Sequence, residues 1–150
     1  MEIVVANRHR KKKIDARFLK RLVAWCAGEL KIERVELGIR LVGAWEMATA
    51  HEEFMDVPDS TDVITFDHGS APPAAIHGEI FICIDDAIEN ARTFKTKWQE
   101  EAVRYTIHGI LHLLGFDDFM PEARRLMKRQ ENRLLKLAAK NFNFAQLERN

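Results

Sequence analysis

The sequence predicts an α+β fold in which helices pack on a small sheet of about four strands. Three observations carry that expectation. From Val35 to Val42, Leu37, Ile39 and Leu41 alternate with Glu36, Gly38 and Arg40, the two-residue period of a strand with one buried face. Gly78 to Ile84 is an almost unbroken apolar run, as in a strand covered on both sides. Elsewhere apolar residues recur every three or four positions, the spacing of amphipathic helices.

The elements follow in order. Ile3 to Ala6 is short, apolar and β-branched, hence a strand, and Asp15 is placed to cap a helix carrying Phe18, Leu19, Leu22, Val23, Cys26 and Leu30 on one face. After the alternating strand, Gly43 breaks the pattern and Trp45 to Met55 reads as a helix ended by Asp56 to Ser60. Thr61 to Phe66 is a strand by its β-branched content. Asp67 to His77, with His68, Gly69, Pro72 and Pro73, reads as a loop longer than most connections and so as a candidate for function. Beyond the apolar strand, Asp85 is expected to cap a helix through Ala91, and Trp98 to Leu114 supplies a long apolar helix. Pro121 suits the first turn of a last helix, with Leu126, Met127, Leu134, Leu135 and Leu137 facing inward. There is no internal repeat.

At 150 residues, 47% hydrophobic and 31% charged, the chain is expected to form one domain over residues 1–150 with a real core. Apolar runs such as Ile80 to Ile84 fall far short of the ~20 residues of a membrane span, and the first residues lack a signal peptide's layout, so the expected location is the cytoplasm. Cys26 and Cys83 read as buried thiols rather than a disulfide or a metal knuckle. The formal net charge is zero, yet basic residues gather in two places: Arg8 to Lys13 continuing into Arg17, Lys20 and Arg21, and the stretch holding Arg124, Arg125, Lys128, Arg129, Arg133 and Lys136. Each is either a solvated helix face or a polyanion-binding surface.

His108 to Asp118 places three metal-ligand candidates in one short segment. His108 and His112 are four residues apart, so on a helix both imidazoles project from one face about a turn apart, within reach of a single ion. Gly115 can take the left-handed conformation that ends a helix, and the turn after it brings Asp117 or Asp118 toward the same ion. Two imidazoles and one carboxylate, with a position left for water, are the donor set of catalytic zinc and related sites, whereas closed structural sites use four protein ligands. An ion so held lowers the pKa of bound water and offsets charge growing on a phosphate or carbonyl oxygen, so hydrolysis is the expected reaction class. Helical metalloproteases carry Glu directly after the first His; here Gly109 stands there, and a peptidase reading loses its base. The ordinary alternative is a pair of core histidines with satisfied nitrogens.

The run from His108 through Asp117 resembles the signature of the YbeY family of bacterial metal-dependent endoribonucleases, His-Gly-x-Leu-His-Leu-x-Gly-(Tyr or Phe)-Asp-His. Upstream, Thr61-Asp62-Val63-Ile64-Thr65-Phe66 resembles the family's Thr-Asp-Val-Leu-Ser-Phe strand and Gly78-Glu79-Ile80 its Gly-Asp-Ile strand, while Met127 and Glu131 fall where its last helix has Met and Glu. The likeness runs from about Val35 to Leu135. It implies a zincin-like α+β fold, a mostly parallel sheet with one antiparallel strand and the ligand helix behind it, in a single YbeY-like metallohydrolase domain. By position it implies His108 and His112 as ligands and Asp118 where the family has a third His. His108, His112 and Asp118 are thus the expected metal-binding and catalytic set, with Asp117 as a residue that supports a ligand from behind or forms the turn, the two aspartates' roles being exchangeable. The expected cofactor is one divalent ion, zinc first, nickel or another transition metal as alternatives.

The same resemblance implies a single-strand-specific endoribonuclease of ribosomal RNA maturation, at the 16S rRNA 3′ end, and of ribosome quality control. Its partners would be single-stranded or ribosomal RNA and the small ribosomal subunit, not membrane or DNA. The ion would take a phosphodiester oxygen and activate water or the RNA's own 2′-hydroxyl, with basic helix faces holding the phosphates. Met55 stands where many members have an Arg thought to meet RNA. His51, His68, Arg8, Arg10 and Arg40 are cations near in sequence that read first as ordinary surface residues, and Asp62 either orients a ligand and shapes the cleft or bonds nearby backbone. Two alternatives stand beside this: a metallohydrolase of another substrate, and a non-catalytic ribosome- or RNA-binding module with a structural metal.

Overall fold

Four strands, β1 (Glu2–Asn7), β2 (Arg34–Val42), β3 (Val63–Asp67) and β4 (Ala75–Cys83), form one sheet in the spatial order β1-β2-β4-β3. The coordinates are a computed structural model describing residues 1–55 and 62–149, with the side chains of residues 51 and 53–55 outside the description. β1 and β4 both run parallel to β2, and β3 is antiparallel to β4. The mixed sheet is thus the expected one. Helices α1 (Ala16–Glu29), α2 (Ala44–Met55), α3 (Ile84–Phe94), α4 (Trp98–Leu113) and α5 (Pro121–Asn141) complete the chain with a short 3-10 turn at Phe144–Leu147.

β2 alternates as its sequence demands: Leu37, Ile39 and Leu41 are buried, while Glu36 and Arg40 are exposed. On the buried face lie α1 and α4, and the largest fully buried side chains, among them Phe18, Leu22, Ile39, Ile82, Ile107 and Leu111, meet there. Each such Leu or Ile contributes roughly 1.5–3 kcal/mol relative to exposure. α2 covers only one end of the other face, where Met47 and Ala50 join Val42, Ile64, Phe81 and Cys83. This explains the near-continuous apolar run of β4, which is covered on both faces toward its C-terminal end.

Asp15 caps α1 as expected, accepting from the Arg17 N–H at 3.0 Å. Three expectations are corrected. Asp85 does not cap α3: the cap position is Cys83, and the Asp85 carboxylate instead accepts from the Ala44 N–H at 2.7 Å and lies 2.9 Å from His9 Nε2, tying α3 to the start of α2 and to the segment after β1. Leu126 is 54% exposed, because it sits one residue, about 100° around the helix, before the buried stripe of Met127, Glu131, Leu134, Leu135 and Ala138; Leu137 is half-buried. The expected loop from Asp67 to His77 is shorter at both ends, since Asp67 closes β3 and Ala75 to His77 open β4, leaving residues 68–74 as a hairpin connection in which Asp67 accepts from the Gly69 and Ser70 N–H groups at 3.0 and 2.8 Å. The expected helix end at Asp56 to Ser60, and Thr61, lie outside the described residues.

α4 is the element that positions the site. It packs against β3 and β4, α3 and α5, and from Glu101 to Leu113 every residue is buried except Arg104, His108 and His112, which form one half-exposed stripe at four-residue spacing. Two glycines allow the close approach. A Cβ at Gly109 would stand 2.6 to 2.8 Å from three side-chain carbons of the fully buried Ile80, and one at Gly78 would run into the Phe66 carbonyl and Leu113. The residue that excludes a metalloprotease base is therefore one that the packing keeps small. Gly109→Ala is expected to destabilise the protein by about 1–3 kcal/mol in urea unfolding despite alanine's better helix propensity, because the overpacked contact outweighs it.

Candidate metal centre

α4 ends in a Schellman turn built on Gly115, whose φ of +98° requires glycine, with the Gly115 N–H donating to the His112 carbonyl and the Phe116 N–H to the Leu111 carbonyl, both at 3.0 Å. The chain thereby doubles back over the helix end and delivers Asp118 to the two imidazoles. Asp118 Oδ2 lies 3.9 Å from His108 Nε2 and 3.8 Å from His112 Nε2, and the three donor atoms are all within 4.8 Å of one another. The two aspartates are placed differently. Asp117 Oδ1 accepts from the Phe119 N–H at 2.9 Å and serves the turn, while Asp118 joins the histidines. Arg124 of α5 holds that turn by donating from Nε to the Asp118 carbonyl at 3.1 Å.

Each imidazole is oriented through its other nitrogen. His108 Nδ1 is 2.8 Å from Glu131 Oε2, and His112 Nδ1 is 3.1 Å from the Phe116 carbonyl. A carboxylate and a carbonyl can only accept, so both Nδ1 atoms carry the proton and both Nε2 lone pairs face Asp118. Burial, reinforced by the neighbouring His108, pushes the His112 imidazole below its ordinary value, favouring the neutral form that binds metals. Burial would raise the Glu131 carboxyl, but hydrogen bonds from His108 and from Arg104 outweigh it and hold the group ionised. Arg104 Nη1 donates to Glu131 Oε1 at 2.8 Å and to Asn132 Oδ1 at 2.9 Å. Donor type and spacing fit a divalent transition ion: bonds of about 2.0–2.1 Å in a tetrahedral arrangement set ligands roughly 3.3 Å apart, about half an ångström inside the two separations at Asp118, with all three donors within 4.8 Å.

The donors open into a cleft of about 780 Å³ whose walls include Asp62, Phe94, Arg104, Arg125 and Lys128. Asp62, just before β3, has its carboxyl raised chiefly by burial and lies 3.5 Å from Asn90 Nδ2, which also donates to the Tyr105 hydroxyl oxygen at 2.5 Å. Of the two basic stretches, the one on α5 reaches this cleft through Arg124, Arg125 and Lys128. The earlier run contributes only Arg8 to a separate hollow on the open face of the sheet, shared with Arg40, His68, His77 and Glu79. There Arg40 and His68 lie 4.0 and 3.5 Å from Glu79 carboxylate oxygens, and Arg8 lies 3.8 Å from Glu46. Arg8, Arg40 and His68 do not line the cleft; the side chains of His51 and Met55 lie outside the described residues, and Arg10 is exposed. Sequence reasoning missed the part Glu131 plays. Its signal was an acid on the otherwise apolar stripe of α5.

A mixed sheet backed by a helix that presents two oriented imidazoles, then turns at a glycine to bring up a carboxylate, is the build of a metal-dependent hydrolase. The family model for Endoribonuclease YbeY matches residues 4–139. An Endoribonuclease YbeY from Chlorobium luteolum is 34% identical over 135 residues, covering 90% of this chain and 96% of that protein, and one from Beutenbergia cavernae is 36% identical over 110 residues, covering 68% and 73%. The solution structure of TM1509 from Thermotoga maritima superposes with a TM-score of 0.64 at 27% identity, covering 89% of this chain and 87% of that one. The chain belongs to the YbeY family of endoribonucleases, enzymes that hydrolyse RNA.

Glu131→Ala is expected to weaken zinc binding about 10- to 100-fold in calorimetric titration by freeing the His108 ring and stranding Arg104. Parent-like affinity would show that the carboxylate does not orient the ligand.

Proposed function

We propose that this protein is a single-strand-specific, metal-dependent endoribonuclease that matures ribosomal RNA, with His108, His112 and Asp118 as the ligands of one catalytic divalent ion, zinc being the best match to the donors. The observation that carries this reading is the convergence of two lone-pair-bearing Nε2 atoms and one carboxylate on a point open to a cleft with a basic rim. Three protein donors are one short of a closed structural site. The bound ion would supply a Lewis acid for a phosphodiester oxygen and a means of activating water or a 2′-hydroxyl.

The chain's own residues do the rest. Glu131 and the Phe116 carbonyl keep the protons on Nδ1, so that Nε2 of each ligand stays available. Arg125 and Lys128, exposed on α5, offer charge to the phosphates flanking the cut. Asp62 shapes the opposite part of the wall. Among the described residues, no helix is long and apolar enough to cross a membrane. The enzyme so proposed acts as one domain over residues 1–150, in the cytoplasm, on RNA of the small ribosomal subunit and its 16S 3′ end.

Purified protein supplied with zinc, nickel or manganese is expected to cut an unstructured RNA internally and spare a duplex. His112→Ala and Asp118→Ala should each lower the rate by about a hundredfold or more, and Asp117→Ala by far less. Absence of cleavage with every metal, or parent-like cleavage by His112→Ala, would defeat the proposal.

A further inference from the structure

Among the described residues, seven large apolar side chains are strongly exposed: Met1, Val4, Trp45, Phe94, Phe119, Met120 and Leu126. Of these, Phe94 alone lines the cleft that holds His108 and Asp118. It is the last residue of α3 and is 67% exposed. Lys95 directly after it is left-handed, with φ of 57°, and returns its N–H to the Ala91 carbonyl, so the helix stops at a defined corner and Phe94 is set at its end. Among the described residues, neither buried cluster includes this ring. The same cleft is lined from α5 by the exposed cations Arg124, Arg125 and Lys128; of the acids on its lining, Asp118 belongs to the donor set, Asp62 is half-buried, and Glu101 and Glu131 are 5% and 4% exposed and engaged by Arg104, with Lys128 Nζ also 3.7 Å from Glu131.

A cationic wall and an exposed aromatic ring in one groove are the two parts from which proteins assemble single-strand nucleic-acid sites: charge follows the phosphates, and the ring takes a base by stacking. We propose that Phe94 is the base-stacking platform of this cleft, holding the nucleobase of a nucleotide that flanks the cleaved phosphodiester while Arg125 and Lys128 hold its backbone. This rests on the RNA-cleavage reading above and adds a positioning residue to it. Stacking requires an unpaired base, so the ring also gives a reason for preferring single strands over duplexes. Because every base has a π-face, the contact tolerates any sequence and favours the larger purines.

The test uses the zinc-loaded full chain and a single-stranded RNA, alongside a series of the same RNA with one abasic position moved along it. Phe94→Ala is expected to raise KM roughly tenfold with kcat and zinc affinity close to parent, Phe94→Trp to restore KM, and Trp45→Ala, an exposed aromatic outside the cleft, to change neither constant. The Phe94→Ala penalty should vanish on the RNA that is abasic at one position, and 2-aminopurine at that position should be quenched by the parent and not by Phe94→Ala. Cleavage by the parent with an unchanged KM in Phe94→Ala, or a penalty equal across the whole abasic series, would overturn the stacking role while leaving the nuclease reading standing. A parent that neither binds nor cuts RNA would overturn both.

Discussion

The site depends on how tightly α4 is held. A helix buried among the sheet, α3 and α5 can offer solvent only one line of side chains, and here that line is Arg104, His108 and His112. Gly109 and Gly78 let the helix sit against Ile80 and β3 without a Cβ between them. Rotating α4 by even one residue would take both histidines into the core, so the packing that stabilises the fold also fixes the direction in which the imidazoles point.

The polar side of that arrangement is balanced group by group. A carboxylate as enclosed as that of Glu131 is unfavourable unless it is paired and hydrogen-bonded, and it is both, through Arg104 and His108. The pairing leaves His108 with its proton on the nitrogen facing away from the centre. His112 gains the same orientation from a backbone carbonyl that exists only because Gly115 ends the helix where it does. Imidazole orientation is thus supplied twice, once by α5 and once by the turn. Arg124 links the two by holding the Asp118 carbonyl.

Much of this was legible in the residues themselves. The period of two in β2, the four-residue spacing of His108 and His112, and the glycine after Leu114 are local patterns with local causes, and each is realised as it reads. The connection after β3 was less legible, because Ala75 and His77 are weak strand formers around a lone Ile76, and the three pair where β2 lies alongside. Asp85 has the chemistry of a cap and stands near a helix start, yet its partners are His9 and Ala44, distant in the chain. Leu126 is apolar but falls outside the α5 stripe by a single step of helix rotation. The contact of Glu131 with His108 joins two helices and has no spacing to announce it. Such long-range pairings are where a sequence is mute. Spacing alone left Asp117 and Asp118 interchangeable, adjacent and identical as they are, and it was the resemblance that set Asp118 beside the histidines.

The central claim is that His108, His112 and Asp118 grip one ion and leave part of its coordination sphere to solvent. X-ray absorption at the zinc edge of protein loaded with one equivalent tests it most directly. The account predicts a shell of nitrogen and oxygen at about 2.0–2.1 Å with the outer-shell scattering of two imidazoles, and one light-atom ligand exchanged for solvent in Asp118→Ala. Sulfur at about 2.3 Å, or a shell of water oxygens with no imidazole signature, would contradict it.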